Sequence, residues 1–195
     1  MRVGKKWSYG KTYLITLDRL DKLKDQKVLD NEQAAHYDKH IHFDSMRASD
    51  LINVSINDKL IINVHGNKYG IGGGFEDNDL DRLVWKLKRS GLKQAGVIKF
   101  HSCNIGEGDW LSTFRKSLVK YGIKFSYLSG PSSKGIRGQY MIGYKVLGFL
   151  YSSFTLGKTK VVQGNVINNF KGIRYTQDNI DVFAPKVWRG TDSYV

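Results

Sequence analysis

The sequence predicts an α/β fold built on a mainly parallel sheet, and three observations carry the prediction. Short apolar runs alternate with amphipathic helical stretches between residues 59 and 128, a glycine closes each helical stretch, and beyond Gly138 the pattern changes to Tyr, Val, Phe and Thr broken by glycines. Strand, helix, strand, helix, strand at this spacing requires right-handed crossovers and a sheet layered by helices, while the final stretch reads as β-hairpins.

Each element follows from its residues. Thr12 to Leu17 is a strand pattern, and Lys59-Leu60-Ile61-Ile62-Asn63-Val64 is an apolar run suited to a buried strand that exits at His65-Gly66. Asp79 is placed to cap a helix with Leu80, Leu83, Val84 and Leu87 on one face and Arg82, Lys86 and Arg89 on the other, and Gly91 stops it. Val97 to Ser102 is the next strand. Asp109 then starts a helix with the inner face Leu111, Phe114, Leu118 and Val119, closed by Gly122 ahead of the strand Ile123 to Leu128. Hairpins are expected from Gln139 to Phe154 and from about Lys158 to Ile167.

The chain has 195 residues, 41% of them hydrophobic and 12% aromatic, with only two prolines, so residues 1–195 fit one well-cored domain and exclude a disordered chain. One cysteine, Cys103, excludes an internal disulfide and a cysteine-built zinc site. Met1-Arg2-Val3-Gly4-Lys5-Lys6-Trp7 has the cations of a signal peptide without its apolar run, so the chain is expected to be cytoplasmic as synthesised. Export into a host cytosol by a route that reads no cleaved signal stays open. The net charge of +13 points to an anionic partner. Its distribution is uneven: no acidic residue lies between Asp109 and Asp178, a span that holds eleven Lys and Arg. Ordinary surfaces intersperse the two signs.

Ligands of open parallel sheets sit at the carboxyl ends of the strands. His65 and Cys103 each end a strand there, and a thiolate nucleophile beside an imidazole is the pairing that cysteine hydrolysis requires. Asn104, Ile105 and Gly106 are expected to turn tightly into the helix that Asp109 starts, with free backbone N–H groups there depressing the thiol pKa and receiving an oxyanion, and the Gly66 N–H as a second donor. His101 lies two residues before Cys103 on the same strand face and is too constrained to be its partner.

Leu60 to Gly66, followed by Val97 to Cys103, resembles the signature of the caspase-like cysteine peptidases, in which one hydrophobic strand ends in His-Gly and a later one in the nucleophilic Cys. The likeness is greatest to the cysteine protease domain of clostridial and RTX toxins and related injected effectors, and spans Leu60 to Ser133. Val64 and Ser102 stand where those domains usually have Gly. The resemblance implies a three-layer sandwich with a caspase-like central sheet plus the C-terminal hairpins, a protein substrate and cleavage after Leu. It further implies His65 as the catalytic histidine, Cys103 as the nucleophile, and the Gly66 and Cys103 amides as the oxyanion hole. It also implies a basic face that binds inositol hexakisphosphate as activator. From the acid-free span, Arg115, Lys116, Lys120, Lys145, Lys158 and Lys160 are the candidate polyanion ligands. Leu111-Ser112 and Leu128-Ser129 lie inside predicted core elements, so cleavage is expected in trans.

Other signals are weaker. His36, His40 and His42 have a metal-ligand look, but Asp38 and Asp44 among polar neighbours read as a solvated loop or helix, and no metal is expected. Gly157-Lys158-Thr159 ends like a P-loop without its strand-to-helix context. Gly70, Gly72, Gly73 and Gly74 read as a mobile loop beside His65. The competing reading is a non-catalytic nucleic-acid-binding domain whose basic stretch contacts phosphates and whose Tyr140 or Tyr144 stacks on bases.

Overall fold

A strand covered on both faces needs apolar residues at successive positions, and Tyr13-Leu14-Ile15, Leu60-Ile61-Ile62 and Val97-Ile98 meet that requirement. All eight are buried at the centre of a six-stranded sheet. The computed structural model describes residues 10–17, 37–72, 80–132 and 159–166. The sheet contains β1 (Thr12–Thr16), β2 (Lys39–His42), β3 (Lys59–Asn63), β6 (Gln94–His101), β7 (Lys124–Pro131) and β8 (Thr159–Gln163), in the order β2-β1-β3-β6-β7-β8. Every neighbouring pair is parallel except β7 with β8. A separate antiparallel ribbon joins β4 (Gly66–Asn67) to β5 (Gly70–Ile71). The expected α/β class with a mainly parallel sheet is the observed one.

Two helices connect the central strands: α1 (Leu80–Arg89) between β3 and β6, and α2 (Trp110–Lys120) between β6 and β7. Both crossovers step the same way along the sheet, so right-handed connections put both helices on one face. There Asp81 of α1 accepts hydrogen bonds from Lys120 Nζ and Ser117 Oγ of α2, each 2.5 Å long, and these bonds hold its carboxyl below the ordinary aspartate range. Leu80, Leu83, Val84 and Leu87 are buried against the sheet, as their spacing requires. Asp79, the expected cap of α1, lies outside the described residues, as do Gln139 to Phe154, where a hairpin was expected; among the described residues the helices cover one face of the sheet, so the expected third layer is not seen there. Strand β8 occupies part of the expected second hairpin.

The inner face of α2 is wider than expected, with Trp110, Arg115 and Ser117 buried beside Leu111, Phe114 and Leu118. Arg115 is buried, whereas Val119 is 44% exposed. Val119 lies about 40° further round the helix than Arg115, away from the Leu111, Phe114 and Leu118 stripe. Arg115 sits between that stripe and β8, where its Nε donates to the Gln163 carbonyl at 2.9 Å and burial lowers its pKa from the usual guanidinium value.

Both helices end alike. The Leu92 N–H reaches back to the Leu87 carbonyl (3.1 Å) and the Gly91 N–H to that of Lys88 (3.0 Å); Ile123 and Gly122 repeat the pattern on Leu118 (3.0 Å) and Val119 (2.9 Å). This paired closure needs a left-handed residue, and Gly91 (φ 94°) and Gly122 (φ 67°) supply it. A Cβ on Gly91 would also sit 3.0 Å from the Ile52 nitrogen, while on Gly122 the nearest atom, Lys88 Nζ, is 4.0 Å away. Gly122→Ala is therefore expected to cost about 1–2 kcal/mol from handedness alone. Gly91→Ala should cost more, with urea unfolding as the measurement; equal costs would contradict the role given to the Ile52 contact.

Candidate active site

The parallel pairing of β3 with β6 sets the site. Its last register pair is Asn63 with His101, and the Val64 N–H extends the ladder to the His101 carbonyl at 3.2 Å. His65 and Cys103 each follow two residues after that pair, past the carboxyl ends of β3 and β6. His65 is exposed and Cys103 half-buried, so both are open to a substrate. His101, inside the ladder, is fixed by strand pairing.

Separate anchors hold the two arms. On the His65 side the chain turns back through the β4–β5 ribbon, and the Gly72 N–H donates to the His65 carbonyl at 2.6 Å. Gly70 therefore belongs to a strand and Gly72 is bonded to the histidine's own backbone, in place of the expected loop; Gly73 and Gly74 lie outside the described residues. At the ribbon's tip Tyr69 is 71% exposed, with the Lys68 ammonium 4.9 Å from its ring centroid.

On the cysteine side the helix begins where expected, with Asp109 as the N-cap residue of α2. Residues 102 to 109 form a series of turns and bends, and α2 starts at Trp110, seven residues past Cys103. Asn104 is left-handed (φ 53°), and the Gly106 N–H is bonded to the Pro131 carbonyl at 2.8 Å. The Glu107 N–H donates to Asn104 O at 3.0 Å, and Lys160 Nζ from β8 to the Gly108 carbonyl at 2.9 Å. Gly106, expected as an oxyanion donor, has its N–H committed to the fold.

The basic residues divide similarly. Arg115 is buried on Gln163, Lys120 is paired with Asp81, and Lys160 braces Gly108, so each has a structural duty. Lys116 is exposed on α2, and Lys145 and Lys158 lie outside the described residues. So do Tyr140 and Tyr144. Thr159 opens a β-strand, which rules out a P-loop at Gly157-Lys158-Thr159.

His40 and His42 stand on β2, where a solvated loop or helix was expected, with ring centroids 4.6 Å apart and His40 Nε2 2.9 Å from Thr16 Oγ1. His36 lies outside the described residues. Among those described, no group of three or more His, Cys, Asp or Glu could hold a metal ion, and no helix is long and apolar enough to cross a membrane.

Two further features have no local signal in the sequence. Ser102 is only 5% exposed, with its Oγ lacking a hydrogen-bond partner, and the side-chain oxygen of Asn104 is in the same position, so unpaired acceptors flank Cys103.

No family model matches the chain, and no curated protein matches it in sequence. Among solved structures, it is similar to the X-ray structure of a secreted C11 cysteine protease from Bacteroides thetaiotaomicron, "iotapain". The identity is 15% and the TM-score 0.41, over 80% of this chain and 66% of that one. The chain thus spans slightly less than two thirds of that protein. The α/β assignment rests on the sheet order and register described above.

The left-handed turn after Cys103 suits Asn and Gly and penalises a Cβ-bearing residue without a short polar side chain. Asn104→Gly should leave the melting temperature within a few degrees of wild type, and Asn104→Ala should lower stability by about 1–2 kcal/mol. Equal melting temperatures for the two variants would refute a backbone requirement at this position.

Proposed function

We propose that the chain is a cysteine endopeptidase in which Cys103 is the nucleophile and His65 its proton acceptor. The observation that supports this most directly is the parallel register that ends at Asn63–His101, two residues before His65 on one strand and before Cys103 on its neighbour. In the proposed reaction the Cys103 thiol proton passes to the His65 imidazole as Sγ bonds to the peptide carbonyl carbon. Backbone N–H groups of Gly66 and Cys103 stabilise the resulting oxyanion. The imidazolium returns its proton to the leaving amine as the C–N bond breaks. Water, deprotonated by His65, then hydrolyses the thioester and restores the thiol.

The substrate is a separate protein chain. The chain's own Leu111-Ser112 pair is wound into α2, and its Leu128-Ser129 pair is buried in β7 with both strand edges paired to β6 and β8, so neither is open to a protease. Cleavage after Leu and activation by inositol hexakisphosphate follow from the toxin-domain resemblance. The acid-free span from Trp110 to Gln177 supplies the charge for such an activator. The need for a reduced thiol suits a reducing cytosol as the place of action.

Cys103→Ala and His65→Ala should each lower peptidase activity at least about a thousandfold while preserving the fold, and His101→Ala should have a smaller effect. Full activity in Cys103→Ala ends the proposal, and a larger loss in His101→Ala than in His65→Ala reassigns the histidine. A thermal shift comparing inositol hexakisphosphate with double-stranded DNA at equal salt checks the activator. Stabilisation and a rise in peptidase activity are expected with the inositol phosphate. Salt-dependent DNA binding with no response to inositol phosphate would favour the nucleic-acid reading.

A further inference from the structure

The His65 and Cys103 arms approach one another closely at two places, and a glycine stands at each. At the outer one, a Cβ on Gly108 would lie 2.5 Å from the Lys68 carbonyl oxygen. At the inner one, a Cβ on Gly66 would overlap Ser102 Oγ. The hydroxyl of Ser102 thus fills the space that a side chain on Gly66 would occupy. That hydroxyl is buried and has no hydrogen-bond partner, an unfavourable placement for a polar group that a glycine or alanine would avoid.

Gly66 is bonded to His65 and Ser102 to Cys103, so the gap between the first pair sets the gap between the second. We infer that Ser102 is a positioning residue, its hydroxyl pressed against Gly66 acting as the spacer between the two arms of the His65–Cys103 pair, an inference that rests on the peptidase reading above. Interiors are close-packed, so a one-atom change in a spacer is transmitted and not absorbed. Removing the Ser102 side chain lets the arms close up, and adding a Cβ to Gly66 drives them apart. The two changes together restore most of the volume, although a Gly66 Cβ would still lie 2.9 Å from the Gly70 carbonyl oxygen.

The test compares Gly66→Ala, Ser102→Gly and the double variant. The readouts are kcat and KM on a peptide, the melting temperature, and the rate at which iodoacetamide alkylates Cys103 across pH from about 5 to 8. Gly66→Ala should lower kcat about a hundredfold with little change in KM. It should also shift the alkylation profile toward that of His65→Ala, and adding Ser102→Gly should return at least tenfold of the lost kcat together with the profile. Ser102→Gly alone should lower kcat at an unchanged fold. A double variant as slow as Gly66→Ala while melting like wild type overturns the inference, as does an unaltered kcat in Ser102→Gly. Alkylation of wild type that ignores His65→Ala would refute the His65–Cys103 pair itself, and the spacer with it. His65-dependent alkylation without rescue removes the spacer alone.

Discussion

Everything at the candidate site depends on one alignment, the parallel pairing of β3 and β6 that ends at Asn63 and His101. Side chains alternate along a strand, so a slip of one residue would turn the buried Leu60 and Ile62 outward and set His65 against Ser102 or Asn104. Burial enforces the register. Leu60, Ile62, Ile98 and Phe100 lie in the core that α1 and α2 cover, while Ile61 and Val97 are buried on the other face, so neither strand can slide without exposing apolar surface. The apolar core therefore fixes the relative height of two polar residues that it does not contain.

Beyond the strand ends, hydrogen bonds take over from burial. The His65 arm is tied by the Gly72 N–H, and the cysteine arm by Pro131 through the Gly106 N–H and by Lys160 through the Gly108 carbonyl. The first tie comes from the residue after β5 and the other two from β7 and β8, so the cysteine arm is braced from the side of the sheet away from β3. Close approach between the arms is possible because Gly66 and Gly108 lack side chains at the points of contact.

Much of this arrangement was legible in the sequence. The β3 and β6 runs, the α1 face and both glycine helix stops are local patterns, and local patterns decide where a strand or helix begins and ends. The positions of His65 and Cys103 at the carboxyl edge followed from those boundaries. Long-range contacts produced the differences. Arg115 looks like a surface base until β8 arrives beside α2 and offers the Gln163 carbonyl. The hydrogen bond that ties the turns after Cys103 to β7 was not legible, because its acceptor, the Pro131 carbonyl, lies twenty-five residues beyond the Gly106 N–H that it holds. The ribbon at Gly66 to Ile71 was hidden by glycines, which fit a loop as readily as a tight hairpin.

The antiparallel edge strand gives the molecule a temporal order. Domains emerge from the ribosome N-terminus first, and β3, α1 and β6 can pair as soon as they are made. The brace on the cysteine arm comes later: Lys160, which reaches the Gly108 carbonyl, is synthesised fifty-seven residues after Cys103. A nascent chain therefore carries both chemical groups of the candidate dyad before it has the strand that steadies one of them. The completed sheet, and not the presence of His65 and Cys103, marks the moment at which the site acquires its shape.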